Sequence, residues 1–264
     1  MTPIVRIALE EDLGPGDVTT RACVPESQQA RGRFLAREPL IVAGLGLLAE
    51  LYESVTLFCK DGDRCLDGEV IATVQGSARQ LLEHERVALN FLQRLSGVAS
   101  LARQFSDAVA GTPCQVLDTR KTTPGLRALE KAAAAAGGVT NHRMGLYDAV
   151  LIKNNHITAA GGVRAAIERT RTSGLPIEIE VRTRAELREA LVAGATHLLL
   201  DNLTPAEAAE WIHEIAGRAK VELSGGINLH TIRAFAETGA DYVSAGAITH
   251  SARAMDIAFR LELL

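Results

Sequence analysis

The sequence has few cysteines. Its four, Cys23, Cys59, Cys65 and Cys114, form no C-x-x-C pair in 264 residues, which argues against a disulfide scaffold or zinc site and for a reduced intracellular setting. A positive excess is also missing. The formal net charge is −4, so no global field draws the protein to nucleic acid or an anionic membrane. Long apolar runs are absent too: the longest, Pro39 to Ala49, holds two glycines and is too short to cross a bilayer. The opening "MTPIVRIALEEDLGPGD" reaches charge too early for a secretory signal, and a cytoplasmic protein is expected. What remains, 47% hydrophobic and 23% charged residues, is enough for one large core or two smaller ones.

The chain reads as two regimes. Up to about Gly76, short β-rich runs such as "RGRFLAREPLIVAG" and "GEVIATVQG" alternate with Gly and Asp turns, indicating a mixed α+β domain. A helix is expected from about Leu81 to Val109, where Leu82, Leu89, Leu92, Leu95 and Leu101 recur at helical spacing, with Gly97 as a break or bend. After Gly111 strands and helices alternate. Candidate strands are "CQVLD", "AVLIK", "IEIEV", "HLLLD", "VELSGG" and "YVSAG", read as continuously apolar runs of buried parallel strands. Thr183 with Glu186 reads as a capping box, Thr204 with Pro205 as an N-cap and first helical residue, and Asn228 as a third cap. The expected domains are 1–110, 111–250, and a C-terminal helix over 251–264 packing back on the first.

Each candidate strand ends in something chemically unusual: Arg120 and Lys121, Lys153, Glu180, Asp201, Ser224-Gly225-Gly226, and Ala245-Gly246. A barrel gathers all strand C-termini into one ring, whereas a doubly wound sheet leaves its outer strand ends idle. A barrel is therefore favoured, incomplete if six strands are all there are. The small residues of "SGGI" and "SAGAI" let backbone amides approach a phosphate, though a tight turn needs glycine as well. Glu180 and Asp201 suit ribose hydroxyls or a magnesium ion beside pyrophosphate; Glu178 shares the face of Glu180, so pattern alone does not separate them. Lys153 reads as a Schiff-base lysine, an anion-binding ammonium or an ion-pair partner. His142 is either an anion ligand or a structural histidine. From Asp118 to Lys153 six Lys and Arg face three acids. A single aromatic residue, Tyr147, lies among them, which favours a small polyanion over nucleic acid.

These segments bear a resemblance. "DTRKTTPGLR", "NHRMGLYDAVLIKNNHI", "LLLDN", "LSGGI" and "GADYVSAGAITHS", with "ALEEDLGPGDVTT" and "ERVALNFLQRLSGVAS" before them, resemble the quinolinate phosphoribosyltransferase family in order and spacing over nearly the whole chain. The resemblance implies an N-terminal α/β sandwich domain followed by an incomplete, TIM-like α/β barrel. It implies the reaction of quinolinate with phosphoribosyl pyrophosphate (PRPP) to give nicotinate mononucleotide, pyrophosphate and carbon dioxide, with Mg2+. It further implies a homodimer or higher oligomer in which each N-terminal domain closes its neighbour's barrel mouth.

By the same resemblance Arg120, Arg143 and Lys153 hold the quinolinate carboxylates, with Thr119 and His142 beside them and Arg86 reaching the neighbouring subunit's site. Lys121 contacts PRPP. Glu180, rather than Glu178, serves with Asp201 at the ribose and the magnesium. Ser224, Gly225, Gly226, Ala245, Gly246 and Ala247 cradle the 5′-phosphate. The chain departs from the family pattern at "KAAAAAGGVTNHR", with Ala132 where an aromatic is frequent and Val139 where a glycine is, and at Asn154, where Asp is frequent. Other readings are a molybdate-transport-associated relative of the same fold, a Schiff-base lyase using Lys153, and a phosphate-binding protein without catalysis.

Overall fold

The computed structural model describes residues 1–264, which divide into two compact units. One comprises residues 1–103, 123–138 and 251–264, the other 104–122 and 139–250. The segment 123–138 thus belongs to the first unit, not to the second as its place in the sequence suggests.

In the first unit two short helices, α1 (Pro3–Leu13) and α2 (Val18–Cys23), precede β1 (Gln29–Ala36) and β2 (Leu40–Ile41). Then come α3 (Leu48–Leu51), β3 (Ser54–Leu57), β4 (Arg64–Cys65), β5 (Val70–Ser77) and the long α4 (Ala78–Ala108). β1 shows why a sheet forms here. Ala30, Phe34 and Ala36 are buried while Arg31 and Arg33 lie on the other face, the period-two pattern of a half-covered strand. Gly97 does not break α4, which runs through it. A Cβ there would stand 1.9 Å from the Arg253 carbonyl oxygen, so the glycine lets the backbone of the C-terminal segment lie against the helix.

The second unit begins, after the end of α4, with β6 (Gln115–Leu117); α5 (Arg127–Ala136) returns to the first unit. There the fully buried Glu130 accepts from Arg94 Nε at 3.0 Å and Nη2 at 2.7 Å, and from the Thr123 amide at 3.0 Å and hydroxyl at 2.7 Å. Both oxygens of this buried carboxylate are hydrogen-bonded, Oε1 to three donors and Oε2 to one.

The second unit continues with β7 (Val150–Ile152), α6 (Asn154–Ala160), α7 (Val163–Thr170), β8 (Ile177–Val181), α8 (Arg184–Val192) and β9 (His197–Asp201). It ends with α9 (Pro205–Ile215), β10 (Lys220–Ser224), α10 (Ile232–Ala236), β11 (Tyr242–Ser244) and α11 (Ala247–His250). The six strands are parallel in the order β6-β11-β10-β9-β8-β7. β6 and β7 do not pair with each other, so the barrel is incomplete; on the far side of β6 a single parallel bridge joins Leu117 to Thr140. Glu178 of β8 and Glu222 of β10, two strands apart, lie on one face of the sheet and both reach one imidazole nitrogen.

The interior is polar, unlike the reading of the strands as apolar on both faces. Register aligns Glu180, Leu199 and Glu222 in one row and Asp201 with Ser224 in the next, while Ile179, Leu198, Leu200 and Leu223 are buried at the alternate positions. Thr204 forms a full capping box with Glu207. Thr183 caps α8 through the Glu186 amide, but the Glu186 carboxylate turns to the amide and guanidinium of Arg182. Asn228 Oδ1 accepts the His230 amide, one turn before α10.

The C-terminal segment is not a helix. It forms β12 (Ile257–Leu263), antiparallel to β1, in a four-stranded sheet ordered β12-β1-β5-β3. Phe259 packs tilted against Phe34 at 4.9 Å between ring centroids. The edge of β1 offered a row of unpaired backbone groups, and a period-two segment satisfies them as a helix does not. The segment leading into β12 is pinned by Glu38, which pairs with the Arg253 guanidinium and accepts the Asp256 amide at 2.8 Å. The hydrogen bonds of Arg253, then that of Asp256, hold the Glu38 carboxyl down at about 2. A depressed carboxyl stabilises the fold above its ordinary value and loses that contribution as pH falls toward 2. Glu38→Gln should therefore cost about 1 kcal/mol at pH 7, screening included, and nothing near pH 2. Paired thermal melts at the two pH values check this. No helix is long and apolar enough to cross a membrane.

Candidate active site

The strand ends of the second unit surround a cleft of about 380 Å³ lined by Thr119, Arg120, Lys121, His142, Arg143, Lys153, Glu180, Asp201, Ser224, Gly225 and Gly226, among others. That volume suits a small molecule. Eleven residues expected from the sequence meet there. Four do not. Ala245, Gly246 and Ala247 follow β11 and pack beside Lys121, where a Cβ on Gly246 would stand 2.8 Å from Lys121 Cδ. Arg86 lies exposed on α4 in the first unit. Arg127 and Lys131, counted in the cation cluster, also belong to the first unit, where Lys131 is fully buried.

The cations are held from behind. Asp118, fully buried, accepts from Asn141 Nδ2 at 2.6 Å and from the His142 amide at 2.8 Å, fixing the loop that carries His142 and Arg143 beside β6. Arg143 Nη1 donates to the Ala149 carbonyl at 3.1 Å, and Asp148 caps the Met144 and Gly145 amides at 2.6 and 3.0 Å. Burial, then the charge of Arg120, lowers the Arg143 guanidinium from its ordinary value. Two guanidiniums therefore face one space, an arrangement an anion relieves. Thr249 Oγ1 donates to the Lys121 carbonyl at 2.7 Å, anchoring that lysine's backbone.

Lys153 Nζ lies 3.3 Å from Glu180 Oε2. Burial first, and then the charge of Glu180, raises the Asp201 carboxyl above its ordinary value. The acids thus sit close enough to repel, with Lys153 and Lys121 as the opposing cations. This pair can take hydroxyl hydrogen bonds or a hard divalent cation.

Glu178 and Glu180 occupy one face of β8 but different depths. Glu180 opens on the cleft. Glu178, with Glu222, contacts His142 Nε2 at 3.2 and 3.3 Å. Burial opposes charge on the imidazole, but hydrogen bonds from Glu178 and Glu222 outweigh it and push the ring up to about 9. On its other side Nδ1 accepts the Arg143 amide at 2.7 Å, a bond that only the neutral ring can make and that works against the rise. Both ring nitrogens are therefore engaged within the protein, and His142 lines the cleft beside Arg143. His142 and Glu222 also line a second cavity of about 250 Å³ among the strand starts, near Pro176, His197 and Tyr242, so this cluster partitions the barrel. Glu222, Ser244 and Asn202 line the cleft without having been expected there; the alternation in "VELS" and "YVS" carried the signal for the first two.

Fold and cleft together define a class: parallel α/β-barrel proteins whose strand ends bind a small anionic ligand. Comparison with known proteins is more specific. The family model described as "Quinolinate phosphoribosyl transferase, N-terminal domain" matches residues 17–96, and that described as "Quinolinate phosphoribosyl transferase, C-terminal domain" matches residues 98–260. A "Probable nicotinate-nucleotide pyrophosphorylase [carboxylating]" of Bacillus subtilis is 42% identical over 262 residues, covering 96% of this chain and 90% of its own. "Quinolinate phosphoribosyltransferase [decarboxylating] 2a, mitochondrial" of Nicotiana tabacum is 38% identical, covering 98% and 81%. The crystal structure of NadC from Streptococcus pyogenes superimposes with a TM-score of 0.93 at 39% identity, covering 100% of this chain and 99% of that one. The chain belongs to the quinolinate phosphoribosyl transferase family.

Proposed function

We propose that the protein transfers the phosphoribosyl group of PRPP to quinolinate and releases carbon dioxide, giving nicotinate mononucleotide and pyrophosphate for NAD biosynthesis. One observation carries the reading: a single cleft brings Arg120, Lys121, Arg143 and Lys153 together with the Glu180–Asp201 pair and the Ser224–Gly226 turn. A pyridine dicarboxylate needs cations at one end of such a site, and a ribose phosphate needs acids and backbone amides at the other.

Arg120 and Arg143 bind the two carboxylates as planar forks, with Lys153 as a point charge and Thr119 alongside. His142, engaged on both nitrogens, lines the cleft beside Arg143. Lys121 meets the pyrophosphate, Glu180 and Asp201 the ribose hydroxyls, and Ser224 to Gly226, with Ala245 to Ala247, the 5′-phosphate. The acid pair fits Mg2+, since their mutual repulsion is relieved by a hard cation held directly or through water; when bound, the ion offsets charge on departing pyrophosphate.

The chain's own residues position and neutralise. Glu180 and Asp201 face the anomeric carbon as it gains oxocarbenium character, and Lys121 stabilises the leaving group. Once the pyridine nitrogen is ribosylated, its positive charge accepts the electron pair left at C2 when the adjacent carboxylate leaves as carbon dioxide; a proton then takes its place. No covalent nucleophile is needed. Lys153, half-exposed and paired with Glu180, is not the desolvated amine a Schiff base requires. The resemblance also supports a cytoplasmic homodimer in which Arg86 of each copy reaches its neighbour's quinolinate.

The test is to incubate the protein with Mg2+, PRPP and carboxyl-labelled quinolinate and follow both products. Carbon dioxide and nicotinate mononucleotide should form in equal amounts, and neither without PRPP. A folded protein that forms neither overturns the reading and favours the molybdate-associated relative.

A further inference from the structure

Asn202 and Ala216 are the two non-glycine residues with positive φ. Ala216 ends α9, an ordinary place for left-handed backbone. Asn202 ends no helix: it follows Asp201 directly, at φ 58° in the wall of the cleft. Asparagine tolerates this conformation better than most side chains, but a non-glycine residue held there beside a reactive site needs a reason.

Its contacts supply one. The Asn202 amide donates to the Ser224 carbonyl at 3.0 Å, tying the end of β9 to the end of β10. Its side-chain Nδ2 donates to Asp201 Oδ2 at 2.7 Å. The facing residue is Gly225, at φ +99°, where an added Cβ would stand 2.3 Å from Asn202 Oδ1 and 2.7 Å from its backbone nitrogen. Gly226 differs: a Cβ there would meet nothing within 4 Å.

We infer that Asn202 is a positioning residue for Asp201, packed against Gly225, whose φ of +99° and close approach to both the side chain and the backbone nitrogen of Asn202 leave no room for a Cβ. The left-handed turn aims the amide back at the carboxylate before it. One Asp201 oxygen is thereby held, and the other is left for the ligand. The two glycines of "SGG" thus have separate duties: Gly225 keys the loop to Asn202, and Gly226 keeps the approach to the phosphate open. This rests on the PRPP reading of the cleft.

Asn202→Gly tests it, because glycine keeps the positive φ without strain and removes only the side chain. Binding of PRPP in the presence of Mg2+ is measured by calorimetry, and KM by kinetics. The dissociation constant for PRPP should rise roughly tenfold, the size of effect expected for a group that orients a ligand-binding carboxylate. KM for quinolinate and the melting temperature should change little. Gly225→Ala, which strains a φ of +99° and crowds both the side chain and the backbone nitrogen of Asn202, should weaken PRPP binding in the same direction and by more. If Asn202→Gly binds PRPP as the wild type does, or loses both substrates equally, the positioning role is overturned. If Gly225→Ala alone is harmless, the keying of Gly225 to Asn202 is overturned. If the wild type itself does not bind PRPP, the proposed activity falls, and this inference with it.

Discussion

Arg143→Ala should lower kcat/KM for quinolinate roughly 10²- to 10³-fold, the loss expected when one partner of a desolvated charge pair is removed. Arg143 is preset, not recruited. Its guanidinium rests on the Ala149 carbonyl, its amide on His142 Nδ1, and the loop around it on Asp148. Little order remains to be gained on binding, so most of the interaction energy reaches the ligand. Burial, and then the charge of Arg120, lower the Arg143 guanidinium from its ordinary value, so an anion beside it favours its charged form. The variant should accordingly melt no lower than the wild type while losing quinolinate binding. Steady-state kinetics and calorimetry with each substrate separate the effects: PRPP binding should survive. An unchanged KM and kcat for quinolinate would remove the cation pair from the proposed chemistry.

Asp201→Asn should reduce kcat by a similar factor, about 10²- to 10³-fold, as when one preorganised electrostatic partner is lost from a transition state. Its pH behaviour is a sharper diagnostic. Burial and Glu180 raise the Asp201 carboxyl, so in the free enzyme the charged form is lost at a higher pH than for an ordinary aspartate. The acid limb of kcat/KM for PRPP should start correspondingly early and disappear in the variant. Stability runs the other way. A carboxyl raised on folding contributes most below its unfolded value, and its contribution is lost as pH rises through the folded one. Asp201→Asn should thus raise the melting temperature at neutral pH and not at strongly acidic pH. A variant less stable at neutral pH would show that Asp201 supports the fold instead.

Sequence and structure agree best where chemistry sits at a strand end. Arg120, Lys121, Lys153, Glu180, Asp201 and the "SGG" turn were each visible because a parallel strand stops abruptly and exposes its last residue. The C-terminal strand was equally legible in principle: Ile257, Phe259, Leu261 and Leu263 alternate with period two, and the helix expectation overlooked that alternation. Gly97 reads as a helix breaker on propensity, whereas the close approach of Arg253 explains it, and no local pattern reports a neighbour so far along the chain.

The alternation of strands and helices after Gly111, the cations and acids at the ends of those strands, and the family were legible in the sequence alone, because periodicity, capping and strand termini are local properties. Tertiary structure decided the rest. It turned Glu178 and Glu222 inward onto His142, whose ring nitrogens are both engaged within the protein. It moved Arg127 and Lys131 out of the cation cluster and keyed Asn202 to Gly225. Each of these depends on strand register and on the curvature of the sheet. Those are set by packing between residues far apart in the chain, where a one-residue slip would face every side chain the other way.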